Sequence, residues 1–258
     1  MRATLMWAEQ SSIGSEAGAQ NAQDDGVFSR PGSTAEKSML APAARGRHLL
    51  DVEVLRGIDA RSTLLVVSCS ATKARGGLPA SLAEVVANAS EPLLTARDRV
   101  LAAADTDLSA VMPAWRRYQG RFYKSAADTL ADAAANSNLV ILSGGYGLVG
   151  AEELIGWYDK QLDVADWPAG LLESALIGEA RRIGTQTVVA FAAASSSYAR
   201  LLRRVPWQQN AMSARLVTVA GIRGGAMSEV PRRLGAAFSV FWYADSGAYP
   251  PGVVVEKL

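Results

Sequence analysis

The run Leu139-Val140-Ile141-Leu142, followed at once by Ser143-Gly144-Gly145-Tyr146-Gly147, constrains the fold more than any other stretch. Consecutive apolar residues, two of them β-branched, read as a strand buried on both faces. Such strands belong to parallel sheets covered by helices. Glycine after the strand allows positive φ and lets a ligand approach the backbone. Ligands of open α/β sheets bind beyond the carboxyl ends of the strands. Ser143 to Gly147 is therefore the first place to expect a site, and a tight turn that merely needs glycine is the plainer alternative.

The same pattern recurs along the chain. Thr63–Ser68 predicts a strand that runs into Cys69-Ser70-Ala71-Thr72-Lys73. Thr187–Ala192 predicts another, ending in Ser195-Ser196-Ser197-Tyr198, where serine suits a helix N-cap. Ala214–Ala220 predicts a last strand, ending in the glycine-rich turn 221–227. Helices are expected from Pro79 to about Ala104, over Phe122–Ala135, Ala169–Ile183 and Tyr198–Arg204, and from Ser228 or Glu229 to about Phe241 with Pro231 in the first turn. Asp105–Pro113 reads as a break, Tyr249–Gly252 as a tail, and His48–Leu55 as a short first strand. This alternation predicts an α/β fold, three-layer, with a largely parallel sheet flanked by helices.

Residues 1–58 are expected to be an extension, partly disordered or draped over the core, and 59–258 a single α/β catalytic domain. From Ser11 to Arg47 the chain is rich in Ala, Ser, Gly, Gln and Asp and buries too little to offset its ordering entropy. Met1–Trp7 is more apolar and suited to docking.

Composition narrows the chemistry. The chain of 258 residues holds one cysteine, Cys69, and one histidine, His48. A Cys/His zinc site cannot be built from them within one chain. Cys69 reads as a small buried apolar residue rather than a nucleophile. The 26 basic residues nearly balance the 25 acidic ones, so no global field recruits nucleic acid, though a local basic face can. No apolar run approaches the ~20 residues of a bilayer span, and the N-terminus lacks a signal-peptide pattern. A cytoplasmic protein without membrane partners is expected.

Three segments carry candidate chemistry. Ser70 and Lys73 follow a buried strand, where hydroxyls, backbone N–H groups and one ammonium suit an anion or sugar; the segment is not a Walker loop. Trp115-Arg116-Arg117-Tyr118-Gln119-Gly120-Arg121-Phe122-Tyr123-Lys124 interleaves cations with aromatics, a pattern fitted to phosphates and stacked bases, or to an ordinary amphipathic helix start. Beyond the glycine turn, Glu153, Trp157, Tyr158 and Asp159 add carboxylates and rings.

Val67–Lys73, Tyr118–Lys124 and Ile141–Val149 with Tyr158-Asp159 together resemble the α/β domains related to the YaaA peroxide-stress proteins. They are still more similar to the α-glutamyl/putrescinyl-thymine pyrophosphorylase-like group associated with hypermodified phage DNA. Residues 223–227 and Pro231–Leu234 add to the likeness, which spans roughly Thr63 to Phe241. The resemblance implies work on DNA bearing modified bases, and excision of a glucosylated hydroxymethyl-pyrimidine by a phage-defence glycosylase is its sharpest form. Such chemistry meets an oxocarbenium-like sugar with carboxylates and requires no metal or nucleotide cofactor, so the resemblance implies neither. The base must also be flipped into a pocket.

On this reading Asp159 is the stabilising or general-base carboxylate, ahead of Glu153 and Asp128. Tyr146 and Ser143 position base or sugar, and Ser70 and Lys73 bind phosphate or base. Tyr118, Phe122, Tyr123, Gly144, Gly145, Trp157 and Tyr158 line the substrate site. Arg116, Arg117, Arg121, Lys124 and Arg223 hold the DNA backbone. A Schiff-base role for Lys73, a DNA-binding module without chemistry, and a nucleotide-sugar or nucleoside transferase are the competing expectations.

Overall fold

Side chains along each central strand alternate between two hydrophobic cores, so the sheet needs helices on both faces. In the computed structural model, which describes residues 49–84, 89–222, 224–244 and 247–258, these cores are built around β2 (Leu64–Ser68), β5 (Leu139–Ser143), β8 (Thr187–Phe191) and β9 (Ser213–Val219). Leu65, Val67, Ile141, Val189, Phe191 and Val217 point to one face, and Leu64, Val66, Val140, Leu142, Val188 and Leu216 to the other. The first face is covered by α3 (Arg121–Ser125), α4 (Ala127–Ala135) and α7 (Ala226–Trp242) through Phe122, Leu130 and Phe238. The second is covered by α1 (Glu91–Ala102), α5 (Leu171–Arg182) and α6 (Ser197–Arg204) through Val100, Leu176 and Leu201. This is the expected three-layer α/β architecture. Among the described residues no helix is long and apolar enough to cross a membrane.

With β1 (Leu49–Leu50), β6 (Gly147–Gly150) and β10 (Val253–Lys257), the main sheet has seven strands in the order β1-β10-β9-β8-β2-β5-β6. Its centre, β9-β8-β2-β5, is parallel, and β6, β10 and β1 are added antiparallel at the two edges. The chain leaves β2 for β5 on one side and returns to β8 on the other. The order reverses at β2, the kind of switch point beside which ligands of open α/β sheets bind. A second sheet of β3 (Leu78–Pro79), β4 (Asp105–Pro113) and β7 (Leu154–Asp159) stands beside that end, joined to the main sheet through the short helix α2 (Ala114–Arg117).

Ser143–Gly147 is the tight turn offered as the plainer alternative: Ser143 pairs with Gly147, and β5 and β6 form an antiparallel hairpin. Several expectations are corrected. Asp105–Pro113 is a nine-residue strand, not a break; its polar sequence is held by pairing with β7, with the register shifting between Asp107 and Met112. The helix expected from Pro79 starts only at Glu91, with Pro92 in its first turn. Proline fits the start of a helix but not a continuous run through it. The Tyr249–Gly252 tail turns back into β10, which lies between β9 and β1. The α/β unit also begins before residue 59, since β1 pairs with β10 and Leu55 is 2% exposed in the core. Residues 1–48, including Met1–Trp7 and His48, lie outside the described residues, as do Val85, Val86 and Arg223.

Candidate functional site

The loop after β2 is clamped before it reaches solvent. Lys73 forms a β-bridge with Tyr118, Ala74 N–H donates to the Arg117 carbonyl at 2.7 Å, and Gln119 N–H donates to the Thr72 carbonyl at 2.9 Å. Gly120 allows this approach, because a methyl there would meet Ser70 Cβ at 2.9 Å. Ser70 Oγ accepts the Thr72 N–H and closes a small turn. Residues 69–74 and 117–120 thus form one rigid lip, and the cation-aromatic run is tied to the anion-site candidate.

Under the lip lies a closed ring of hydroxyls. Tyr118 donates to Ser143 at 3.2 Å, Ser143 and Tyr158 are 2.8 Å apart, and Tyr158 and Tyr118 are 2.9 Å apart. One circulation of protons satisfies all three, which suits a dry interior. Burial holds the Tyr118 and Tyr158 hydroxyls well above the usual tyrosine range, and therefore neutral. Ser143 Oγ also accepts the Tyr146 N–H at 3.0 Å, which fixes the hairpin turn. Tyr146 stacks edge-on to Tyr158 at 5.5 Å, and its hydroxyl accepts the Gly156 N–H at 2.9 Å. Gly144 and Gly145 sit where nothing larger fits: a methyl on Gly144 would meet backbone atoms of residues 160–162, and one on Gly145 would lie 2.7 Å from the Tyr158 ring.

The open rim is smaller. Lys73 Nζ lies 4.3 Å from the centre of the Tyr158 ring and makes one long bond, 3.4 Å, to the Ala71 carbonyl. Desolvation lowers its pKa from the usual lysine value, and Cys69 and Asp159 act in the opposite direction. Asp159, at the end of β7, is exposed and faces Asp105 across the strand pair. Trp157 is half-buried under the Arg75 guanidinium, 3.2 Å from its ring centre. Cys69 Sγ and Tyr198 Oη are 3.0 Å apart, linking the end of β2 to the first turn of α6. Burial first, and Cys69 second, raises the Tyr198 pKa.

Lys73 and Tyr146 thus both contact the ring of Tyr158, and Asp159 is the next residue along β7, exposed at the strand's end. Other candidates are placed differently. Glu153 is buried: Arg97 binds it at 2.6 Å and Gly150 N–H binds its second oxygen at 3.2 Å, so it is a structural anchor and not a reacting carboxylate. Arg117 is fully buried and donates to the carbonyls of Ala74, Gly76, Ala110 and Ile155, so it holds the lip and cannot meet a phosphate. Phe122 packs on Phe238, and the buried Tyr123 donates to the Ser68 carbonyl; both support the sheet rather than line a pocket. Tyr118, Ser143, Gly144, Gly145 and Tyr158 form the floor beneath the surface. Arg116, Arg121 and Lys124 are exposed, with Arg116 over the Trp115 ring at 4.8 Å. Asp128 is exposed on α4. Among the described residues no group of three or more His, Cys, Asp and Glu is placed to hold a metal.

Tyr198, Arg75, Arg97 and Asp105 were not singled out from sequence. Tyr198 follows a strand end, where sites of such sheets lie, but in sequence it reads only as part of a helix cap. The other three gain their meaning from the second sheet and the free edge of β6. No family model matches the chain, and no curated protein matches it.

Proposed function

We propose that this chain is a DNA glycosylase that excises a hypermodified base, a glucosylated hydroxymethyl-pyrimidine in phage DNA, and leaves an abasic site as part of antiviral defence. The observation that carries this reading is the half-buried Lys73 seated on the Tyr158 ring, with the exposed carboxylate of Asp159 next in the chain after that ring. The resemblance to proteins of hypermodified phage DNA supplies the substrate class. In this reading Asp159 stabilises positive charge on the sugar and activates water. Ser70 and Lys73 bind phosphate or base, Trp157 offers an aromatic wall, and Arg116, Arg121 and Lys124 follow the strand. Asp159→Asn on phage-modified DNA is the test: abasic-site formation falls steeply, and undiminished formation removes Asp159 from the mechanism.

A second reading, DNA binding without excision, is favoured by one feature. The hydroxyls of Tyr118, Ser143 and Tyr158 satisfy each other and leave none pointing at a flipped base. Retarded migration of modified DNA with no alkali-labile sites would select it.

A further inference from the structure

We propose that Lys73 is an aldehyde-capturing amine: it forms an imine with C1′ of a ring-opened abasic sugar and gives the protein strand-cleaving lyase activity. The inference rests on the glycosylase reading, whose product is that aldehyde.

Four lysines are present among the described residues, and only Lys73 has the placement for this chemistry. Lys160 is bound to Asp166 at 2.9 Å, and Lys124 and Lys257 are exposed on α3 and β10. Lys73 stands in the loop after β2, at the sheet's switch point, with its backbone pinned to Tyr118 and its amine seated on the Tyr158 ring. No carboxylate among the described residues comes within ion-pair distance of it, so nothing needs to be displaced for the nitrogen to attack. The groups around it are Tyr158, Tyr118, Cys69 and Asp159. Partial desolvation favours the neutral, nucleophilic amine.

The chemistry balances without a redox partner. The neutral amine adds to the C1′ aldehyde, and loss of one water leaves the C=N bond. Asp159, the exposed carboxylate nearest in chain to the Tyr158 platform, removes a proton from C2′. That electron pair forms the C2′=C3′ bond while the C3′–O bond breaks, and the 3′ phosphate leaves with its electrons. Water then hydrolyses the imine and returns the free amine.

The test uses a duplex oligonucleotide that already carries an abasic site, so it does not depend on base excision. Full-length protein is incubated with it in sodium borohydride, which reduces the imine to a stable amine, and the adduct is mapped by peptide mass spectrometry. The expected result is a covalent complex on the peptide holding Lys73, reduced at least tenfold in Lys73→Arg. A complex mapped elsewhere, equal trapping by Lys73→Arg, or no trapping by the wild type overturns the proposal. If Lys73→Arg does not fold, the wild-type map alone decides. Base release from modified DNA, measured in parallel, reports on the glycosylase reading separately.

Discussion

Two cation–carboxylate neighbourhoods flank the β5–β6 hairpin, and they are built in opposite ways. At the outer edge, Arg97 and Glu153 are 5% and 6% exposed and 2.6 Å apart. Arg97 also donates to the carbonyls of Tyr146 and Leu148, so its guanidinium stands in for the strand that β6 lacks. Every charge there has a partner. At the carboxyl end, Lys73 and Asp159 influence each other without touching, and Asp159 stays open to solvent. A buried pair closed on itself serves the fold; Lys73 and Asp159, held apart, are not committed to it.

Breaking the closed pair has the largest expected effect. Arg97→Ala leaves Glu153 buried without its partner, and the loss in unfolding free energy is expected at about 3–5 kcal/mol by denaturant titration. Unchanged stability would show that the edge of β6 does not depend on this pair. Gly144→Ala comes next. Its methyl would lie 2.6 Å from the Gln161 carbonyl carbon, so the segment after β7 must move. Overpacking of this kind costs about 1–3 kcal/mol, and Asp159 moves with the segment, so base release should fall together with stability. A stable Gly144→Ala protein with full activity would separate the hairpin from the site.

The open pair is probed by pH. Imine capture requires neutral Lys73, and burial lowers its pKa, so trapping should rise with pH and level off below the usual lysine range. A profile still climbing through that range would place Lys73 in an environment like water. The smallest effect is expected from Asp105→Asn. Asp105 opposes Asp159 across β4 and β7, and like charges in that position are destabilising. Removing one should stabilise by less than about 1 kcal/mol in thermal unfolding, while a loss of stability would assign Asp105 a partner role.

The main sheet was legible because Leu64–Val67, Leu139–Leu142 and Val188–Phe191 are continuous apolar runs, and only a strand covered on both faces tolerates them. The second sheet was not. Asp105–Pro113 lacks a clear period, and its strand state comes from pairing with a segment some fifty residues away, which no local pattern records. The site was half legible. Strand ends rich in small residues pointed to Ser70, Lys73 and Ser143, but exposure could not be read: Arg117 looks in sequence like Arg116 beside it, yet one is fully buried among carbonyls and the other exposed. Glu153 and Asp159 both follow the glycine turn in sequence, and only the position of Arg97, far back in the chain, separates the anchor from the open carboxylate.

The most direct measurement of the central claim is mass spectrometry of bases released when the full-length protein is incubated with ordinary and with hypermodified phage DNA. Release of the free modified base from the second DNA only, abolished in Asp159→Asn, is the predicted result. Intact modified DNA after prolonged incubation with folded protein would contradict it.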